Sequence, residues 1–134
     1  MDEDFSATTL GVRVCVRAFY LEDQSRPDDA HFVWAYRVGI ENLSDTTVRL
    51  LRRSWRITDA RGRTQLVQGE GVVGEQPTLR PGERFEYSSG TPLDTPSGFM
   101  SGHYHMIHTE TGEMFDVEIP TFSLDSPHQD SRVH

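Results

Sequence analysis

The segment that spans residues 32–40 constrains the fold of this chain more than any other. Large apolar residues occupy every second position of it, namely Phe32, Trp34, Tyr36, Val38 and Ile40. A repeat of two places all five side chains on the same face of a β-strand. Most of the intervening residues are also apolar, which is typical of a strand in the middle of a sheet. The segment therefore predicts a central strand.

Shorter segments with the same repeat of two extend along the rest of the chain. They cover residues 12–17, 64–67, 84–87, 100–106 and 115–119. Turn signals rich in glycine and proline separate them, and no segment sustains the 3.6-residue repeat of a helix. This pattern predicts an all-β fold, an antiparallel β-sandwich of the immunoglobulin or fibronectin-III type with about seven or eight strands. A small barrel is the structural alternative.

The apolar residues change parity within residues 48–57. Val48 and Leu50 occupy even positions, whereas Leu51, Trp55 and Ile57 occupy odd ones. A strand keeps one parity on each face, so a switch inside an apolar run requires an extra residue or a change of sheet. The segment therefore predicts a β-bulge or a strand that passes between sheets.

Length and composition set the domain organisation. The chain has 134 residues, and we predict one sandwich domain over residues 1–124 with an ordered core over about 10–124. The acidic, polar residues 1–9 predict a loose lead-in, and the polar residues 125–134 predict a flexible C-terminal tail. Because Cys15 is the only cysteine, an intrachain disulfide is excluded.

Charge and hydropathy narrow the partners. The chain carries 13 basic and 21 acidic residues, a formal net charge of −8, so nucleic acid is not an expected partner. No apolar stretch approaches the roughly 20 residues of a membrane helix, which predicts no membrane insertion. The acidic residues 1–4 have the wrong charge for a secretory signal, and we expect a cytoplasmic protein.

Three motifs in the second half of the chain, together with two shorter ones, resemble the ApaG family. They are GEGVVGEQP at 69–77, LRPGERFEYSSG at 79–90, GFMSGHY at 98–104, Trp34-Ala35-Tyr36, and Arg53 with Trp55. The resemblance covers about residues 12–124. It implies a fibronectin-III-like sandwich and, as for bacterial members, an association with cobalt resistance and magnesium efflux without a demonstrated catalytic activity. Similar domains in eukaryotic F-box proteins imply a role as a protein-interaction module.

The glycine-rich stretch at residues 69–77 suggests a phosphate site at first sight. Gly69, Gly71 and Gly74 have the Gly-x-Gly-x-x-Gly spacing. A dinucleotide cradle of this kind needs a helix directly after the glycines, yet Pro77 and Pro81 follow, and Glu70 and Glu75 place negative charge beside any phosphate. We therefore interpret the stretch as a crossover that needs positive φ or close backbone approach. A protein-docking loop and a nucleotide or pyrophosphate site remain the functional alternatives.

Two histidines form a candidate metal site. His103 and His105 are two residues apart, so they share one face of the predicted strand, and paired imidazoles could bind a divalent transition metal. The opposite, core-facing side of this strand is predicted to carry Met100, Tyr104 and Met106. We therefore interpret both histidines as surface residues and keep metal binding as an alternative.

One region of the chain concentrates basic residues. Its arginines are Arg49, Arg52, Arg53, Arg56, Arg61 and Arg63. Their parity predicts the solvent face of one hairpin, which could take an acidic partner or RNA. A solvated, ion-paired face is the simpler interpretation in an acidic protein.

No nucleophile-elbow context and no extended catalytic motif is present. We predict a non-catalytic protein that needs no cofactor and acts as an interaction module for an unidentified protein partner. Homo-oligomerisation through an open sheet edge is a further possibility. The alternative function is binding of a small ligand at Gly69, Gly71 and Gly74, or of a metal at His103 and His105.

Overall fold

The computed structural model describes residues 5–128, which form nine β-strands in two antiparallel sheets. The first sheet has the order β1 (Phe5–Thr9), β2 (Val12–Tyr20), β3 (Phe32–Asn42) and β7 (Arg84–Leu93). The second has the order β5 (Thr64–Glu70), β4 (Val48–Asp59), β8 (Gly98–His108) and β9 (Met114–Leu124). The two-residue strand β6 (Thr78–Leu79) pairs with the start of β4. The predicted sandwich is confirmed.

Alternation of side chains builds the core between the sheets. All five large residues of β3 point inward and are at most 6% exposed. Trp55 of β4 packs edge-on against Tyr36 of the first sheet at 5.5 Å between ring centroids and against Phe122 of β9 at 6.0 Å. Aromatic pairs in this geometry add stability beyond the burial of their area, so Trp55 joins the two layers.

The ordered part of the chain begins earlier than residue 10. Residues 5–9, predicted to be part of a loose lead-in, form strand β1, which pairs along its whole length with β2 from Phe5 opposite Val16 to Thr9 opposite Val12. Small and polar residues dominate this strand, so its alternation gives little hydropathy signal. Residues 1–4 lie outside the described residues.

The start of the predicted flexible tail is also held against the domain. The Trp34 indole Nε1 donates to the Asp125 carbonyl oxygen at 2.8 Å, and the Ser126 hydroxyl donates to the Pro96 carbonyl at 2.6 Å. The His128 ring packs against Tyr20. Polar side chains here bind backbone groups of the sandwich, which a polar composition does not predict. The prediction for residues 129–134 lies outside the described residues.

The predicted bulge is present in β4. The pairing of β4 with β8 shifts between Leu50 and Arg52, so Leu51 is the extra residue. Val48 and Leu50 before the shift and Trp55 and Ile57 after it all face the core. The bulge thus reconciles two parities within a single strand.

The two long sides of the sandwich differ. On one side the edge strands β1 and β9 lie against each other, and the Glu118 amide donates to the Thr9 hydroxyl at 3.1 Å. On the other side the edge strands are β5 and β7, and a cleft opens between them.

The described helices are two short 3₁₀ turns, Glu22–Gln24 and Pro27–Asp29, and neither has the length or apolarity to span a bilayer.

Candidate functional site

The glycine-rich stretch forms a tight hairpin beside β4. The Val72 and Glu75 amides each donate to the carbonyl of the other residue, at 2.8 and 2.9 Å. The two residues between them are left-handed, with φ of +43° at Val73 and +84° at Gly74. Two consecutive positive φ values are the mark of a two-residue type I′ turn. We call residues 69–76 the glycine loop.

Gly71 is required by shape as well as by φ. Its φ is +62°, and a Cβ atom there would lie 2.3 Å from the Glu75 carbonyl oxygen. At Gly74, by contrast, a Cβ atom would meet nothing within 4 Å. Both the positive φ and the close backbone approach that the sequence predicts are therefore present.

The bulge in β4 anchors the glycine loop. The Leu51 carbonyl accepts hydrogen bonds from the Gly71 amide at 2.8 Å and from the Gln76 side-chain amide at 3.0 Å. The Leu50 amide donates to the Pro77 carbonyl at 3.0 Å. β4 pairs with β6 at Val48 and Arg49 and with β5 from Arg52 onward. Leu50 and Leu51 lie between these two pairings, so the loop supplies their partners while it passes from β5 to β6.

Arg53 fixes the loop from beneath. Its Nη1 donates to the Glu70 carbonyl at 3.0 Å and to the Gly71 carbonyl at 2.7 Å. Gly69 lies directly opposite Arg53 in the pairing of β4 with β5, and a Cβ atom on Gly69 would be 2.9 Å from the Arg53 Cζ. The missing side chain at Gly69 thus leaves room for the guanidinium to cross β5.

This geometry differs from that of a phosphate cradle. A cradle directs backbone N–H groups at the anion from the start of a helix. Here the Gly71 and Val72 amides donate to Leu51 and Glu75 within the protein. The short strand β6 follows the loop, and no helix occurs after it in the described chain. Three amides of the loop, those of Gly71, Val72 and Glu75, are therefore already bonded within the protein.

A cleft of about 300 Å³ opens between β5 and β7, and we call it the Arg53 cleft. Tyr36, Trp55, Ile57 and Met100 form its apolar floor, Gln65 and Val67 one rim, and Ser89 to Pro92 the other. Arg53 lies at the end of the cleft nearest the glycine loop, because it precedes Trp55 on the same face of β4. The cleft and the loop therefore share this one side chain.

Three phenols, those of Tyr36, Tyr87 and Tyr104, are near enough to Arg53 for its positive charge to lower their pKa in part. Burial raises the pKa of Tyr36, while a hydrogen bond with Ser89 and the positive charge of Arg53 lower it in part. Burial also raises the pKa of Tyr87 and of Tyr104, whose hydroxyls share a hydrogen bond. Since burial disfavours the phenolate, all three are neutral hydroxyls that present donors and acceptors to the neighbourhood of Arg53.

The candidate metal residues are placed on the outer face of the second sheet, as predicted. His103 is exposed, but His105 uses both ring nitrogens: Nδ1 lies 2.7 Å from an Asp116 carboxylate oxygen and Nε2 lies 2.7 Å from the Ser54 hydroxyl. Within residues 5–128, no group of three His, Cys, Asp or Glu side chains is arranged to hold a metal ion. The structure gives these two histidines no third ligand among the described residues.

Sequence reasoning missed the hydrogen-bonded series Ser54–His105–Asp116. Its order is that of a hydrolase triad, and a concavity of about 370 Å³ adjoins Ser54. However, Ser54 lies inside β4, opposite Gln68 of β5 on one side and His103 of β8 on the other. The backbone amides around it therefore belong to sheet ladders and are not free to form the oxyanion hole that acyl transfer requires.

The basic cluster is divided rather than continuous. Arg53 faces the interior, whereas Arg49 bonds Gln76 of the glycine loop through its Nε and Nη2 atoms. Arg63 pairs with Asp59 at 2.8 Å and with Asp94 at 2.9 Å. The solvent-facing row of six arginines predicted from parity is therefore wrong for Arg53, because the bulge at Leu51 turns it inward.

Together these features define an all-β sandwich whose glycine loop is anchored on a bulged strand. A family model of the ApaG domain matches residues 22–108. The Protein ApaG of Paramagnetospirillum magneticum is 61% identical over 130 residues, which cover 97% of this chain and 99% of that protein. The Protein ApaG of Rhodospirillum centenum is 61% identical over 128 residues, covering 96% and 98%. The chain belongs to the ApaG family.

A solved structure gives the same result for the fold. The crystal structure of the ApaA protein from Bordetella pertussis superimposes with a TM-score of 0.83 at 44% sequence identity. The superposition covers 92% of this chain and 97% of that chain. The family resemblance drawn from the motifs is thus confirmed, and so is the sandwich.

Proposed function

We propose that this protein is a non-catalytic interaction module of the cytoplasm and that its glycine loop docks a protein partner. The single observation that carries the proposal is Val73. Its side chain is 55% exposed at the tip of the loop, with φ at +43°. A β-branched residue at positive φ is a conformational outlier that costs on the order of 1–3 kcal/mol. An apolar side chain that is both strained and exposed lowers the stability of the folded state. Its presence at the tip of the loop therefore favours a role in binding.

The loop beneath Val73 is rigid enough to present it. Val72 next to it is fully buried, and the loop backbone is bonded to Leu51 and Arg53. A surface that is already ordered loses little conformational entropy on binding. A rigid, apolar tip on an ordered hairpin therefore suits recognition of a protein surface.

The link to cobalt resistance and magnesium efflux rests on the family resemblance. We propose that the docked partner acts in that process and that the module itself holds no metal. Under this proposal, loss of the partner contact reduces cobalt tolerance, and loss of His103 or His105 does not.

Val73→Asn is expected to separate folding from binding. Asn-Gly is the preferred pair for a type I′ turn, so the variant should be more stable by about 0.5–1 kcal/mol yet lose its partner. Leu10→Asn is a matched control, because Leu10 and Gly11 form another turn with two positive φ values, and Leu10 is 67% exposed. The measurements are urea unfolding, affinity purification with mass spectrometry, and cobalt tolerance of a deletion strain that carries each variant. Equal partner recovery and tolerance for wild type and Val73→Asn would contradict the docking role.

The non-catalytic assignment is tested at Ser54. We expect wild type and Ser54→Ala to hydrolyse p-nitrophenyl acetate at rates within about twofold of each other, because no free backbone amide stabilises the oxyanion. His105→Ala serves as a second variant, since a general base would be lost with it. A rate that falls by about 100-fold or more in both variants would show that the series Ser54–His105–Asp116 is catalytic.

A further inference from the structure

The open side of the sandwich contains a cationic group at the end of an aromatic cleft. Arg53 is half-buried there, and only one of its three guanidinium nitrogens, Nη1, donates a described hydrogen bond, to the Glu70 and Gly71 carbonyls. A guanidinium has five N–H donors, so three remain on Nε and Nη2. Of the carboxylates in residues 5–128, none forms an ion pair with Arg53.

The other arginines that were grouped with it are arranged differently. Arg63 binds two carboxylates, and Arg49 bonds Gln76 at the exposed surface. Arg53 alone of that group of six lines the cleft between the sheets. A cation bound only to backbone carbonyls in such a place retains the capacity to pair with an anion.

The walls of the cleft indicate what kind of molecule could carry an anionic group to Arg53. Trp55 and Tyr36 meet edge to face, and both are less than 7% exposed. The cleft volume of about 300 Å³ is at the lower end of the range for small-ligand sites, roughly 300–1,000 Å³. Ser89 contributes a hydroxyl at the rim. This combination suits a small molecule with one anionic group and a flat, largely apolar body.

We propose that the Arg53 cleft binds a small free carboxylic acid, whose carboxylate pairs with the Arg53 guanidinium and whose apolar body packs over Trp55. A carboxylate matches the planar fork of a guanidinium, and their charge-assisted hydrogen bonds are stronger than neutral ones. Exclusion of water by the aromatic floor strengthens the pairing further. The proposal does not depend on docking at Val73, since Val73 is not among the residues that line the cleft.

The test is an NMR titration of the full chain with benzoate, observing the Trp55 indole N–H and the Arg53 Nε–H. We expect saturable shifts with a Kd of about 1 mM or lower. Benzamide has the same shape but no charge, and it should bind at least about tenfold more weakly. Val67→Phe should abolish binding by filling the cleft without altering Arg53. Arg53→Met should abolish it as well, whereas Arg56→Met on the outer face of the same strand should leave it unchanged.

Several outcomes would overturn the proposal. They are no saturable shift with benzoate, equal binding of benzamide, or unchanged binding in Val67→Phe. Shifts produced only by an N-acetylated dipeptide that ends in phenylalanine would assign the site to a chain terminus and contradict a free acid. Shifts produced equally by inorganic phosphate would contradict the role of the apolar floor. Val73→Asn should bind benzoate like wild type, so failure of the docking role remains distinguishable.

Discussion

Gly71→Ala is expected to destabilise the protein by about 3 kcal/mol. The left-handed φ costs alanine about 1–2 kcal/mol, and the overlap of its Cβ with the Glu75 carbonyl adds on the order of 1–3 kcal/mol. The overlap cannot be relieved by a rotamer change, because the obstacle is backbone oxygen at 2.3 Å. Urea unfolding monitored by tryptophan fluorescence measures the change.

Gly74→Ala is the matched control for that experiment. Gly74 shares the positive φ, at +84°, but has open space where a Cβ would be. We therefore expect a loss of only about 1 kcal/mol. If both variants lower the free energy of unfolding by the same amount, the close approach of Gly71 to Glu75 does not determine the shape of the loop.

Arg53→Met is expected to cost about 2 kcal/mol, since it removes two hydrogen bonds from a charged donor while the methionine retains much of the apolar stem. The sharper expectation concerns its coupling to Gly69. Gly69→Ala should cost about 1–2 kcal/mol in the wild type, because the new methyl group would displace the guanidinium that lies 2.9 Å away. In the Arg53→Met background, the same substitution should cost close to nothing.

A double-mutant cycle of unfolding free energies measures this coupling. We expect an interaction energy of about 1 kcal/mol or more, as for residues in direct contact. Arg56→Met paired with Gly69→Ala is the control and should be additive, because Arg56 lies on the opposite face of β4. Additivity in the Arg53 cycle as well would contradict the described path of the guanidinium across β5.

The sequence carried more information on the site than the prediction used. The parity switch between Leu50 and Leu51 correctly predicts the bulge in β4. The same switch places Arg53 on the inner face, with Leu51 and Trp55. The positive charge of Arg53 nevertheless favoured its assignment to the solvent-facing basic cluster. A bulge changes the face of every later residue in the strand, and that rule alone identifies Arg53 as the inward cation.

Other features were out of reach of the sequence. Ser54, His105 and Asp116 come together only through the register of three adjacent strands, and no local spacing encodes that register. Strand β1 was missed because its core-facing positions include Ala7 and Thr9, which give a weak hydropathy signal. Val73 could not be identified from the sequence, because its strain depends on its φ angle. A Val-Val pair before a glycine does not predict a positive φ at the second valine.

The central claim is that the glycine loop is a rigid docking element whose tip is Val73. Its most direct test is photo-cross-linking in cells from a p-benzoylphenylalanine placed at position 73, with position 66 as control, since Leu66 is 65% exposed on the outer face of the second sheet. We expect a discrete adduct from position 73 whose partner peptide is identified by mass spectrometry, and no such adduct from position 66. The same adducts from both positions, or none from position 73, would contradict the claim.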